Sequence, residues 1–114
     1  MQIQRFDTNA RLSRVVVHGD TAYFSGLTAD DRSKDAEGQT AEILAKADAY
    51  LEMLGVDRNA VLAATIWLRD IGDFDLMNAA WTAWIDAPPA RATVEAVLGL
   101  PDIRVEIQFT VAIA

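Results

Sequence analysis

The sequence predicts one α+β domain in which two amphipathic helices cover one face of a mixed sheet. Three observations carry this reading. Two segments repeat apolar residues at spacings of three and four, five or six short runs favour extended chain, and the two kinds alternate as strands, helix, strand, helix, strands. The 114 residues fit a single domain, 1–114, with no room for a second. Surface scaling gives such a chain roughly 6,000 Å² folded against roughly 18,000 Å² unfolded, enough burial for a core without staples.

Taken in order, Ile3 to Phe6 reads as a short edge strand. The valine-rich run Arg14 to His18 and the run Thr21 to Ser25 flank Gly19-Asp20 and read as a hairpin. The polar stretch from Asp30 to Gly38 reads as a loop inside the domain. Ile43, Leu44, Ala47, Tyr50, Leu51 and Leu54 form the apolar stripe of the first helix, and Gly55 follows as a left-handed cap. Val61 to Leu68 is a third strand run. The second helix is expected to start at Asp73 as N-cap, to carry Phe74, Met77, Trp81, Trp84 and Ile85 on its stripe, and to stop at Pro88-Pro89. Ala92 to Val97 is a fourth run. Arg104 to Ala112 is the clearest strand, because Val105, Ile107, Phe109, Val111 and Ile113 alternate with polar or small residues. With both helices on one face, the other face keeps Tyr23, Thr65 and Trp67, too apolar for open water. The remedy is burial against another copy, so the chain is expected to form a homo-oligomer.

Composition narrows the function classes. A formal net charge of −7 is repelled by phosphate backbones and anionic lipid heads, which argues against nucleic-acid and membrane partners. Without cysteine there is no disulfide framework and no thiolate chemistry. No run has the length of a membrane span and no signal peptide is evident, so a cytoplasmic location is expected. One histidine, His18 at the hairpin turn, does not make a zinc site, and no metal is expected.

Three residues are candidates for chemistry. Arg91 stands after two stiffening prolines at the entry to an apolar strand. It can offer two parallel N–H donors to a carboxylate, or pair with one of the 17 acids as a surface charge. Glu106 lies on the polar side of the last strand. In water it does nothing special; in a subunit interface it can orient a water or move a proton. Ser25 lacks a base that would make it a nucleophile and reads as a hydrogen-bonding or structural group.

These pieces occur together and in order in one family. Pro89-Ala90-Arg91-Ala92-Thr93-Val94-Glu95, then Leu100-Pro101, then Val105-Glu106-Ile107 resembles the C-terminal signature of the RidA (YjgF) family of reactive intermediate deaminases. Asp70-Ile71-Gly72-Asp73-Phe74 with Met77-Asn78 and Trp81 resembles its strand-to-helix junction, and Tyr23-Phe24-Ser25-Gly26 its early strand. The resemblance spans nearly the whole chain and is to a short-N-terminus branch. It implies a chorismate-mutase-like fold, a ferredoxin-like variant, and a homotrimer with sites in clefts between subunits. The implied activity is hydrolysis of small imines and enamines, of the 2-aminoacrylate and 2-iminopropionate type, to 2-oxo acids and ammonia, with no cofactor. Carried over, Arg91 binds the substrate carboxylate, Glu106 orients or activates the water, and Ser25 and Thr93 line the cleft. The alternative is a non-catalytic trimer that binds a small carboxylate or amino-acid-derived ligand through Arg91. The chain departs from the family at Leu12-Ser13, which replaces a tyrosine segment. Thr93 stands where a cysteine is common, Leu27 replaces a glutamine, and Gln108 replaces a second glutamate.

Overall fold

A computed structural model of the chain describes residues 1–113. Six strands, β1 (Ile3–Thr8), β2 (Ser13–His18), β3 (Thr21–Phe24), β4 (Val61–Leu68), β5 (Ala90–Glu95) and β6 (Val105–Ala112), form one sheet in the order β1-β2-β3-β6-β4-β5. All neighbours are antiparallel except β4 and β5, which run parallel because α2 crosses between them. Helices α1 (Ala36–Met53) and α2 (Phe74–Trp84) pack on the same face, as the two stripes require.

The core lies between that face and the helices. Ile43, Leu44, Ala47 and Leu51 of α1 and Met77, Trp81 and Trp84 of α2 bury against Val15, Phe24, Ile66, Ile107 and Phe109 of the sheet. Trp81 stacks parallel on Phe109 at a centroid distance of 6.4 Å, so both predicted core tryptophans of α2 are core. The opposite face keeps Tyr23, 50% exposed, and Val94, 47% exposed, beside the half-buried Thr65 and Trp67. The apolar leftover face is therefore present.

Several boundaries differ from the sequence reading, two of them for a plain local reason, while α2 starts after Asp73 as expected but is capped differently. The expected loop ends sooner: α1 starts at Ala36 because the Asp35 side chain accepts from Gly38 N at 2.9 Å and caps it, so Ala36, Glu37 and Gly38 are helical. Asp73 holds the cap position of α2 but makes no side-chain cap bond. Asp70 does the capping instead, accepting from Gly72 N at 2.8 Å over a short 3₁₀ turn, Ile71–Asp73. The fourth strand runs from Ala90 to Glu95 rather than from Ala92 to Val97, since pairing with Ala63 begins directly after the prolines. Gly55 ends α1 with φ +77°, as a left-handed cap should.

Two side chains, half-buried Arg69 and buried Gln39, fasten the connection between β5 and β6. Arg69 donates from Nε to Ile103 O at 2.8 Å and from Nη2 to Leu98 O at 3.0 Å and Leu100 O at 2.6 Å. Gln39, fully buried, donates to Asp102 O at 3.0 Å and accepts from Arg104 N at 2.9 Å. These bonds pair backbone groups of the connection, and the segment carrying Leu100-Pro101 is held in place.

Candidate active site

Register decides where each candidate points. Arg91 sits opposite Ala64 and Thr93 opposite Ile66, both of which bury on the helix-covered face. Arg91 and Thr93 therefore project side by side toward α2, from a strand that ends the sheet and leaves its outer edge unpaired.

Arg91 is half-buried in a cage built by α2. Its Nη1 donates to Asn78 Oδ1 at 2.7 Å. Its guanidinium carbon lies 5.3 Å from the Trp81 ring centroid and 5.7 Å from that of Phe74. Phe74, Asn78 and Trp81 are spaced by four and three residues, so one helix face presents all three. Contacts of this type contribute about 0.5–2 kcal/mol each. No carboxylate pairs with Arg91 among the described residues; the ion pairs there are Arg32–Asp102, Lys34–Glu42, Lys46–Asp30 and Arg58–Asp48. Burial lowers the guanidinium pKa, yet an arginine remains cationic at neutral pH. The surface-ion-pair reading of Arg91 thus fails. Two residues on, the Thr93 hydroxyl is buried and has no hydrogen-bond partner. An unpaired guanidinium beside an unpartnered hydroxyl is a ready receptor for an oxyanion.

Glu106 and Ser25 belong to the other side. Glu106 pairs in register with Trp67, while its neighbours Val105 and Ile107 bury toward the helices, so its side chain lies on the open face. It is half-buried there, and its carboxylate occupies the space where a Cβ on Gly26 would stand. Gly26 thus leaves room for the Glu106 carboxylate, which a side chain at this position would push aside. Ser25 accepts from Arg14 Nη1 at 3.4 Å rather than donating. Gln108, in place of a second glutamate, donates to Phe24 O at 3.1 Å and closes the end of β3.

The four candidates therefore form two half-sites. Arg91 and Thr93 stand with Asn78 at the β5–α2 corner; Glu106 and Ser25 stand together near Gly26. In sequence β5 precedes β6 directly, but β4 is inserted between them in the sheet, and the two half-sites face opposite ways. One chain does not present both to one small molecule. Sequence reading missed Asn78, Phe74 and Trp81 as partners of Arg91, though their shared helix face was legible. Among the described residues no three histidines or acids converge to hold a metal ion.

Comparison with known proteins follows this geometry. The family model described as Endoribonuclease L-PSP matches residues 2–113. The chain is 44% identical over 115 residues to the RutC family protein YoaB of Escherichia coli (strain K12), spanning 99% of this chain and 100% of that protein. A solved structure of a YjgF family member from Neisseria meningitidis superposes with a TM-score of 0.96 at 41% identity, covering 100% of this chain and 97% of that one. Over 78 residues, 67% of this chain and 41% of the other, it is 35% identical to Reactive Intermediate Deaminase A, chloroplastic, of Arabidopsis thaliana.

Proposed function

The chain belongs to the YjgF/RidA family, matched under the description Endoribonuclease L-PSP, and has its chorismate-mutase-like fold; we propose that it hydrolyses small imines and enamines of the 2-aminoacrylate and 2-iminopropionate type to 2-oxo acids and ammonia, in clefts between subunits of a homotrimer. The observation that carries this reading is the cage of Arg91. A cation fixed by Asn78 and two rings, with no acid to neutralise it, is preorganised for a substrate carboxylate. Thr93 Oγ1 beside it gains the partner it lacks when a carboxylate or imine nitrogen arrives.

The chemistry asks little more than position. The carboxylate binds Arg91 and holds the C=N carbon still. Glu106 takes a proton from a water whose oxygen bonds to the carbon of the protonated imine, giving a neutral carbinolamine. The same carboxyl returns that proton to nitrogen; as the C–N bond breaks and ammonia leaves, the hydroxyl proton passes to the Glu106 carboxylate, the C=O of the 2-oxo acid forms, and ammonia carries that last proton away as ammonium. Because Arg91 and Glu106 face opposite ways in one chain, this sequence needs the Glu106 and Ser25 half-site of a second copy against the Arg91 half-site of the first. The open sheet face with Tyr23, Trp67 and Val94 supplies the surface for that association. The −7 charge weighs against RNA as substrate.

The test is turnover of 2-iminopropionate generated in situ, followed as pyruvate release, with the oligomeric state measured alongside. A rate above buffer that falls steeply in Arg91→Ala and in Glu106→Gln, and recovers when the two variants are mixed into hybrid trimers, supports the reading. A monomer, or no rate above buffer, defeats it. Exposed Leu12, apolar where the family carries a polar tyrosine, favours one second reading: a trimer that binds 2-oxo acids through Arg91 without turning anything over. Binding of pyruvate that is lost in Arg91→Ala, with no hydrolysis, would select it.

A further inference from the structure

At the far edge of the sheet from β5, strand register sets Asp7 opposite Arg14: Phe6 pairs with Val15 on one side and Thr8 with Ser13 on the other. Opposite charges facing each other across antiparallel strands ordinarily close an ion pair. Here they do not. Asp7 takes φ +50°, a left-handed backbone that aspartate tolerates better than most residues. Its Oδ2 accepts from Tyr50 Oη on α1 at 2.7 Å. Arg14 turns away and donates to Ser25 Oγ at 3.4 Å, near the limit of a hydrogen bond. An unusual backbone angle thus accompanies two charges that have not neutralised each other.

Between these groups opens a cavity of about 450 Å³, within the range of small-ligand sites. Leu27, Ala49 and Met53 provide its apolar wall. The second cation lining it, Lys46, is already satisfied by Asp30 Oδ1 at 2.8 Å and Thr28 O at 2.7 Å. Among the described residues that leaves Arg14 as a cation without an acid and Asp7 as an acid without a cation. Both lie within electrostatic reach of one phenol: Asp7 raises the Tyr50 pKa, after burial, and Arg14 opposes it.

We propose that this cavity binds a small zwitterionic α-amino acid, its carboxylate on Arg14 and its ammonium on Asp7, with the side chain against Ala49 and Met53. A plain carboxylate meets repulsion from Asp7, and a plain amine meets repulsion from Arg14; only a ligand carrying both charges satisfies both walls. The site is separate from the Arg91 half-site. It touches the other half-site at one point, because a ligand on Arg14 competes with Ser25 Oγ for the guanidinium.

The experiment is an amide chemical-shift titration of the full chain with glycine and L-alanine, with propionate and ethylamine as single-charge controls. Saturable shifts centred on residues 7, 14, 28 and 50 are expected for the amino acids and not for the controls. Asp7→Asn keeps a residue that accepts the left-handed backbone, and Arg14→Gln keeps a hydrogen-bond donor. Each should weaken binding by about ten- to a hundredfold without lowering thermal stability to the point of unfolding. Arg91→Ala should leave the shifts as they are, which separates failure here from failure of the deaminase reading. No saturable shift up to about 100 mM, equal binding of propionate, or loss of the shifts in Arg91→Ala would each overturn the proposal.

Discussion

Arg91 and Arg14, one toward each side of the sheet, both lack an acidic partner among the described residues, and they are held in opposite ways. Arg91 near the β5 edge is gripped by one short hydrogen bond and two aromatic rings, and one of those rings stacks on the core residue Phe109. Arg14 on β2 has a single long hydrogen bond to Ser25 and borders an open cavity. The first guanidinium is set before any ligand comes, so a ligand forfeits little ordering entropy on binding it. The second must be ordered by what it binds. Fixed position suits a reacting group, and a loose one suits a weak, reversible ligand.

This contrast can be broken most severely at Trp81. Its removal takes away the slab between Arg91 and Phe109, and Trp81→Ala should destabilise the fold by about 3–5 kcal/mol in urea unfolding. Should unfolding shift by under 1 kcal/mol, the cage is not part of the core. Arg91→Ala should lower kcat/KM on an imine by about 2–3 kcal/mol, roughly 30- to 150-fold, with Arg91→Lys close to it because a point charge does not reproduce the fork. Full rescue by lysine would mean that charge alone matters. Asn78→Ala should cost about 1–2 kcal/mol in kcat/KM with little change in melting temperature, as Arg91 keeps its rings but loses its orientation. The smallest effect lies at the other edge. Burial first, and then Asp7, raises the Tyr50 pKa above its usual 10.0. The folded state therefore favours the protonated phenol. That contribution is fully present below pH about 10 and is lost as pH rises through the higher folded pKa. Tyr50→Phe should remove this step from an alkaline unfolding profile, and an unchanged profile would show that the Asp7 contact is idle.

Much of the fold was legible because its signals are local. Alternation of Val105, Ile107, Phe109 and Val111 could only be a strand with one buried face, and the stripe from Ile43 to Leu54 only a helix. Boundaries moved where a cap precedes the stripe, as at Asp35, and where strand pairing begins before the apolar run, as at Ala90; α2 starts after Asp73 as expected, with Asp70 making the cap bond. Of the site, Arg91, Glu106, Ser25 and Thr93 could be named from residue type and family resemblance. Their grouping could not, nor could Asn78 as the partner of Arg91, because each depends on which strand lies next to which.

By itself, then, the sequence determined that this chain is acidic and α+β, with a helix-covered face, an apolar leftover face and an arginine poised after two prolines. Periodicity, charge and proline act over a few residues and need no knowledge of the whole. Only the tertiary structure decided that β4 would be inserted between β5 and β6, that Arg91 would face α2 while Glu106 faced away, and that Asp7 and Arg14 would be neighbours that do not pair. Strand order and register are long-range choices, set by how the whole core packs, and a one-residue change of register would have sent every one of these side chains to the other face.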